Sequence, residues 1–283
     1  MIRKVFLVDT LVDGPFSGSQ TTVVFLESPL DKFKMLSLAN ELGTSQTVFV
    51  YYHGQAYLLR YFVRTQEITL STHCCHAVAH LIFELGMHPP GEKLLFLTQE
   101  GEITAARIPP DLISVTLPAQ NITKLDQAKI ELYSSILSLN PKTVIWGALA
   151  PSRTVVLAVD ASVQLRKLNV DNLKLADSGA MALAVTKQDT GAADYALRCF
   201  TSIPNLPEQS ISAGLQRSLA PHWGRLLNKK ALQAKQLSPR GGLIELDVSI
   251  PNQIVITGRS KTVLRSDLVL EMIGDIPVTV VGQ

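Results

Sequence analysis

The stretch of residues 60–86, RYFVRTQEITLSTHCCHAVAHLIFELG, constrains the fold more than any other part of the chain. It begins with β-favouring residues, and polar Ser71 and Thr72 then suit the N-cap of a helix. No glycine or proline interrupts residues 73–85, and apolar side chains occupy almost every face of the helix they would form. A helix that is apolar all round is buried. The stretch therefore predicts a strand, a turn and a helix through the middle of a domain.

The first turn of this helix is a candidate site for an anion. The first N–H groups of a helix have no partner within it, and they lie at the positive end of the helix dipole. Both features favour a bound anion. His73 lies beside this turn, and its side chain can titrate near neutral pH.

The composition argues against several classes of protein. The chain has 283 residues, 46% hydrophobic and 18% charged, which suits one large or two medium domains. The net charge is only +2 and no basic run alternates with aromatic residues, so nucleic-acid binding is not expected. No apolar run reaches the roughly 18 residues of a membrane span. The start reads as a strand rather than a signal peptide. Cys74, Cys75 and Cys199 make no disulfide framework, so we expect a cytoplasmic protein.

The second half of the sequence repeats the plan of the first. Each half offers strands, then an Arg-x-Phe sequence, then a polar turn and a helix. Arg60 and Phe62 correspond in this way to Arg198 and Phe200, and the second helix is expected near residues 213–219. The two arginines are expected to be solvated strand residues or to form ion pairs within their own halves. Such a short match only suggests a structural repeat.

Hydrophobic periodicity and turn residues predict the remaining elements. We expect helices at 31–42 and 125–139, a mostly helical or mixed segment at 170–185, and late strands at 253–258, 262–264 and 278–281.

Several short motifs follow one another in a characteristic order. They are Val8-Asp9, Pro15-Phe16-Ser17-Gly18, Glu41-Leu42, Ser45-Gln46-Thr47-Val48-Phe49-Val50, Arg60 with Phe62, Glu67, residues 70–86 with His73, Arg198-Cys199-Phe200, Glu208, Gln236 and Arg240-Gly241-Gly242. With these residues the chain resembles the phenazine biosynthesis-like (PhzF-like) family of isomerases, which shares the fold of diaminopimelate epimerase. The resemblance covers nearly the whole chain.

The resemblance implies an α+β fold of two pseudo-symmetric lobes. Each lobe would wrap a curved, mostly antiparallel sheet or barrel around one central helix. The N-terminal lobe would comprise residues 1–118 with 266–283, and the C-terminal lobe residues 119–265, with the break at Pro118. The site would lie in the cleft between the lobes, at the N-termini of both central helices.

The departures from the family pattern concern its chemistry. Where the family carries a glutamate as general acid/base, this chain has Gln46, and the aspartate of the second turn is replaced by Gln209. An amide can form hydrogen bonds but cannot shuttle a proton, whereas general acid–base catalysis needs a titratable group. The paired cysteines of diaminopimelate epimerases correspond to Ser71 and Ser212, so two-thiol racemisation is not expected.

Other residues of the site leave alternatives open. His73 is either an acid/base or ligand contact or a structural histidine. His73, His76 and His80 share a helix face and could bind a metal, but the interpretation we favour is a helix packed inside a lobe, without metal. Cys75 could be a nucleophile at the helix start, although a small buried hydrophobic residue is the simpler reading.

The function expected from the sequence is an isomerase-like enzyme with altered catalytic residues that acts on a small carboxylate. The alternative is a non-catalytic binding or interaction protein that kept the fold; a metal-dependent hydrolase is more distant. No cofactor is expected. The expected partner is a small anionic metabolite, not a nucleic acid or a membrane, and assembly as a homodimer stays open. The candidate catalytic residues are His73, Gln46 and Gln209. The candidate substrate-binding residues are Ser17, Gly18, Ser71, Thr72, Cys74, Ser212 and Ala213.

Overall fold

A computed structural model describes residues 2–89, 91–203 and 206–268, and this part of the chain forms sixteen strands and five α-helices. The strands up to the middle of the chain are β1 (Ile2–Val12), β2 (Ser19–Leu26), β3 (Thr47–His53), β4 (Ala56–Val63), β5 (Gln66–Ile68), β6 (Leu94–Thr98), β7 (Gly101–Ile108), β8 (Leu112–Pro118) and β9 (Thr123–Lys124). They are followed by β10 (Val144–Leu149), β11 (Thr154–Val159), β12 (Ala182–Gln188), β13 (Tyr195–Thr201), β14 (Ala231–Gln236), β15 (Gly242–Asp247) and β16 (Gln253–Asp267). The helices are α1 (Lys32–Leu42), α2 (Thr72–Glu84), α3 (Gln127–Ile136), α4 (Asn172–Asp177) and α5 (Ala213–Leu227).

The first half of the sheet closes into an eight-stranded barrel around α2. Its order is β1-β2-β3-β4-β6-β7-β8-β16, and it returns to its start because β1 pairs with β16, with Lys4 opposite Asp267. Helix α2 contacts β1, β2, β7, β8 and β16. Residues 72–79 of α2 are all buried. The expected buried central helix is therefore confirmed.

The second half of the sheet repeats this arrangement. The pairs β2–β3 and β4–β6 are parallel, and so are their counterparts β11–β12 and β13–β14. In each half, the two parallel pairs are joined by an antiparallel pair, β3–β4 in the first half and β12–β13 in the second. Helix α5 takes the place of α2 in the second half. The α+β fold of two pseudo-symmetric halves, expected from the sequence, is confirmed.

Strand β16 joins the two halves. Its residues 253–259 pair with β8, its residues 255–257 also pair with β15, and its residues 259–267 pair with β1. The expectation of two strands, at 253–258 and 262–264, was wrong in this respect. The polar run Arg259-Ser260-Lys261 lies between these two expected segments, yet it pairs with β1. The side chains of Arg259 and Lys261 are exposed, and that of Ser260 is half-buried.

Helix α5 is longer than the sequence indicated. It was expected to end near residue 219, but it continues through Pro221 to Leu227. A proline inside a helix leaves the carbonyl four residues earlier without its usual donor. That carbonyl belongs to Arg217, and it accepts instead from the backbone N–H of Gln120 at 2.8 Å. A donor from the segment after β8 thus makes the proline tolerable.

Three further expectations need correction or fall outside the described part. The segment 170–185 contains the short helix α4 and then most of β12, a strand rather than more helix. Strand β14 was not anticipated, and α3 is shorter than 125–139. The strand expected at 278–281 lies outside the described residues.

The hydrophobic core runs across both halves. One cluster of buried side chains contains residues of α2, such as Val78 and Leu81, together with residues of α5, such as Leu219 and Trp223. A separate cluster lies under α3 and α4, and another lies between α1 and the outer face of the first barrel. The boundaries proposed for the lobes, 1–118 with 266–283 and 119–265, stay a prediction.

Candidate functional site

The start of α2 presents free backbone donors. Ser71 is the N-cap, and its hydroxyl accepts from the N–H of Cys74 at 3.3 Å. The carbonyl of Ser71 accepts from the N–H of Cys75 at 3.1 Å. The N–H groups of Thr72 and His73 donate to no group in the described part of the chain. Two unpaired donors therefore lie at the positive end of the α2 dipole.

Gln46 is held against this helix start. The hydroxyl of Ser71 donates to Oε1 of Gln46, and the thiol of Cys74 lies 3.7 Å from the same oxygen. The backbone is fixed as well, because the carbonyl of Gln46 accepts from the N–H of Thr22 at 3.0 Å. With its oxygen engaged by Ser71, the amide has its Nε2 donors left for a ligand. A carboxylate in this position could also receive the Ser71 hydrogen bond and, in addition, exchange a proton.

The start of α5 is built differently. The side chain of Ser212 does not cap the helix. Instead, the N–H of Ser212 donates to Oε1 of Gln236 at 3.3 Å, and Nε2 of Gln236 donates to the carbonyl of Gln209 at 3.2 Å. The N–H groups of Ala213 and Gly214 donate to no group among the described residues. Gln236 thus fixes the turn that carries Gln209 and Ser212, and two more free donors result.

The two helix starts lie against each other. His73 forms a hydrogen bond with the backbone of Ile211, two residues before α5, and α2 contacts α5 directly. Gly242 makes this approach possible, because a Cβ at its position would lie 2.0 Å from Cδ1 of Ile211. The site therefore draws one helix from each half of the chain.

Two turns close over the same region. The N–H of Gly18 donates to the carbonyl of Gly241 at 2.9 Å. The guanidinium of Arg240 donates to the carbonyls of Gly18 and Ser17 at 3.0 and 3.2 Å, and it lies 2.9 Å from the carboxylate of Asp9. The turn between β1 and β2 is in this way tied to the turn between β14 and β15.

The histidine and cysteine side chains of the site stay neutral. Burial lowers the pKa of His73 to about 4, against a smaller raising effect from its hydrogen bond with Ile211. Burial, together with a smaller effect of the nearby His73, lowers the pKa of His76 to about 3. Burial raises the pKa of the Cys75 and Cys199 thiols to about 12 and raises that of Cys74 as well. The thiols are therefore poor nucleophiles, as the simpler reading of Cys75 predicted.

The carboxylates around the site are paired with arginines. Glu67 accepts two hydrogen bonds from Arg60, at 2.7 and 2.8 Å, and Glu208 accepts two from Arg198, at 2.8 and 2.7 Å. Each arginine also lies over the phenylalanine of its own Arg-x-Phe sequence. Of the two readings of these arginines, ion pairs within each half are the correct one.

One ion pair between the halves escaped the sequence analysis. Arg217 of α5 lies 2.8 Å from Glu100, in the turn between β6 and β7, and donates to the carbonyl of Pro118 at 3.0 Å. Glu100 also accepts from the hydroxyl of Thr69 at 2.9 Å. The sequence signal for this pair was weak: a single charged residue, Arg217, in the segment LQRSLA of the expected helix.

The structure brings most of the candidate site residues together, in two groups. Gln46, Ser71, Thr72, His73 and Cys74 gather at the start of α2, and Gln209, Ser212 and Ala213 gather at the start of α5. Ser17 and Gly18 reach the site only through Arg240 and Gly241. The hydroxyl of Ser17 is used within its own turn, where it accepts from the N–H groups of Asp13 and Gly14 at 3.0 Å.

One open cavity lies away from the helix starts. A cavity of about 730 Å³ borders the opposite end of α2 and is lined by residues that include Phe83, Met87 and Arg107. At the helix starts, Ser71, His73 and Ser212 are only 5%, 8% and 1% exposed. Among the described residues, no three histidine, cysteine or acidic side chains are placed to hold a metal ion. In that part of the chain no helix is long and apolar enough to span a membrane.

Comparison with known proteins shows which family has this architecture. A model of the phenazine biosynthesis-like protein family (PhzC-PhzF) matches residues 8–266. An uncharacterised isomerase from Halalkalibacterium halodurans is 26% identical over 95% of this chain and 100% of its own length. Another from Pseudomonas aeruginosa is 30% identical over 83% of this chain and 87% of its own. The crystal structure of a PhzF-family protein from Enterococcus faecalis matches with a TM-score of 0.83 at 24% identity, covering 95% of this chain and all of that one.

The closed barrel of the first half, the matching strand pattern of the second half and relatives that are named isomerases define a protein of an isomerase-type family. The chain belongs to the phenazine biosynthesis-like family. The family resemblance inferred from the motifs is thereby confirmed.

Proposed function

We propose that this protein binds a small carboxylate in a cleft between its two halves and lacks the carboxylate-driven proton transfer of its family. The observation that carries the proposal is the meeting of two helix starts with four free N–H groups, those of Thr72, His73, Ala213 and Gly214. Free N–H groups at helix N-termini bind anions, and both helix dipoles act in the same sense. The amide of Gln46 adds a neutral donor.

The lost proton transfer rests on Gln46 and Gln209. Their amides cannot exchange protons, and His73 is neutral and buried at pH 7. A positioned general acid or base typically contributes about 10²–10⁴-fold to a rate. We therefore expect wild-type protein to leave the C–H bonds of small carboxylates unexchanged.

Access to the helix starts requires the two turns to separate. Ser71, His73 and Ser212 are buried, and the hydrogen bonds that tie the halves together above them join buried Gly18 to half-buried Arg240 and Gly241. Binding is therefore expected to involve opening and closing of the halves around the ligand.

A thermal-shift screen of small carboxylates, phosphate and sulfate tests the binding. A ligand at a hundred times its Kd adds about 2.7 kcal/mol to the free energy of unfolding, so a binding anion should raise Tm measurably. Thr72→Pro should weaken the shift, because it removes one donor at a position where proline fits a helix. Gln127→Pro, at the first position of α3, is the matched control. If no anion raises Tm, or if both variants behave like wild type, the helix starts are not the site.

One observation favours a second candidate, residual isomerase activity with His73 as base. Nδ1 of His73 is buried and has no hydrogen-bond partner among the described residues, so it could accept a proton. Deuterium wash-in from solvent into the bound carboxylate separates the two functions. Exchange that His73→Ala abolishes supports the second candidate, whereas the first predicts no exchange until Gln46→Glu and Gln209→Asp are introduced together.

A further inference from the structure

The charge balance of the site restricts its ligand further. We propose, on the basis of the proposed function, that the ligand is a carboxylate without an ammonium group, such as a hydroxy, oxo or unsaturated acid, and not an α-amino acid.

In the described part of the chain, no carboxylate forms a hydrogen bond or ion pair with the residues of either helix start. Gln46 and Gln209 are neutral amides. Four acidic side chains of the surrounding elements are bound by guanidinium groups: Glu67 by Arg60, Glu208 by Arg198, Asp9 by Arg240 and Glu100 by Arg217. Asp13, in the turn between β1 and β2, is exposed to solvent. An ammonium group beside the free N–H groups would therefore meet no counter-ion of its own.

The positive ends of two helices also disfavour an ammonium group at the site. The starts of α2 and α5 both present N–H groups, and their dipoles disfavour a nearby cation as much as they favour an anion. Moving an unpaired ammonium group from water into a buried site is strongly unfavourable. An α-amino acid would therefore gain at its carboxylate and lose at its ammonium group.

A hydroxyl group, in contrast, finds a neutral partner. His73 is the second residue of α2, and its buried Nδ1 has no hydrogen-bond partner in the described part of the chain. A neutral imidazole nitrogen accepts a hydrogen bond from a hydroxyl without any change of charge. An unsatisfied buried acceptor is unfavourable, so a ligand hydroxyl that reaches Nδ1 would remove that cost on binding.

Matched pairs of acids that differ only at C2 test the inference. We would measure the Kd of lactate against alanine, malate against aspartate, and phenyllactate against phenylalanine, by calorimetry at pH 7 on the full chain. The hydroxy acid of a binding pair should bind at least about tenfold more tightly. Because His73 stays neutral, this ratio should hold between pH 6 and 8.

Restoring the carboxylates provides the control. In the Gln46→Glu variant, which keeps the shape of the side chain, and in the Gln209→Asp variant, which shortens it by one methylene, the preference should shrink or reverse because the ammonium group gains a counter-ion. Equal or tighter binding of the amino acid to wild type, or a preference unchanged in both variants, overturns the inference but leaves the proposed carboxylate site intact. If none of the six acids binds, the proposed function fails, and this inference fails with it.

Discussion

In the proposed function, the exchange of an oxygen for an NH₂ group at position 46 decides what the site can do. The side chain of Gln46 keeps the hydrogen bond to Ser71 that orients it. The substitution therefore preserves the geometry while removing the proton and the charge. At Gln209 it is the backbone that is fixed, by Cys199 and Gln236. Geometry that is kept without its acid/base groups suits binding more than catalysis.

The buried histidines predict a specific dependence of stability on pH. The folded pKa values of His73 and His76, about 4 and about 3, lie below the ordinary value of 6.5. Between about pH 5 and 6.5 the unfolded state therefore binds more protons than the folded state, and the free energy of unfolding rises with pH. Each histidine contributes a slope of up to about 1.4 kcal/mol per pH unit, and the slope disappears above pH 7.

Denaturant titrations between pH 5 and 8 measure this slope. His76→Leu should remove the contribution of His76 to this slope and leave that of His73. Because both ring nitrogens of His76 lack partners among the described residues, this variant should also be as stable as wild type or more so at pH 5. An unchanged slope in His76→Leu would show that His76 is protonated or solvated in the folded protein.

The buried and the exposed ion pairs contribute different amounts to the free energy of unfolding. Arg198 and Glu208 are largely buried, and Arg198 also donates to the carbonyls of Leu165 and Leu168. Arg198→Met should therefore cost about 3–5 kcal/mol of unfolding free energy, because it leaves Glu208 unpaired. Arg259→Met, which breaks an exposed pair with Asp111, should cost at most about 1 kcal/mol. Similar losses in urea unfolding for both variants would contradict this difference.

At the scale of elements, sequence patterns predicted what depends on neighbours in the chain. Helix α2, its cap at Ser71 and the Arg-x-Phe strands were all predictable, because caps and periodicity are local signals. The continuity of β16 was not, since the strand is sustained by pairing with β1, about 250 residues away along the chain. Nor was the extension of α5 past Pro221, which depends on a donor from Gln120.

The same limit applied to the site. The two helix starts and Gln46 could be found because they carry motifs of the family. The pairing of Arg217 with Glu100 could not, because nothing local in the sequence shows that a turn of the first half meets the second helix.

The close approach of Gly242 to Ile211 predicts the effect of adding a single methyl group at position 242. A Cβ at Gly242 would lie 2.0 Å from Cδ1 of Ile211 and 2.7 Å from the carbonyl oxygen of Leu11. Gly242→Ala should therefore force Ile211 away from His73, lower Tm clearly and weaken anion binding. Gly14→Ala is the control, since a Cβ there meets nothing within 4 Å. A Gly242→Ala protein with the Tm of wild type would mean that the turns are not packed as described.

At the scale of the whole molecule, each half depends on the other. Strand β16 closes the first barrel while it pairs with β15 of the second half, and the main core cluster contains residues of both central helices. We therefore expect that neither half forms the anion site alone. The proposed site takes one pair of donors from each half.

Amide chemical shifts during a titration test this central claim most directly. The protein would be labelled with ¹⁵N and titrated with the tightest-binding carboxylate of the thermal-shift screen. We predict that the amides of Thr72, His73, Ala213 and Gly214 move together and saturate with one Kd, because a single anion accepts from both helix starts. Saturable shifts at only one helix start, or at the cavity bordered by Phe83 and Arg107 instead, would contradict a site shared between the two halves.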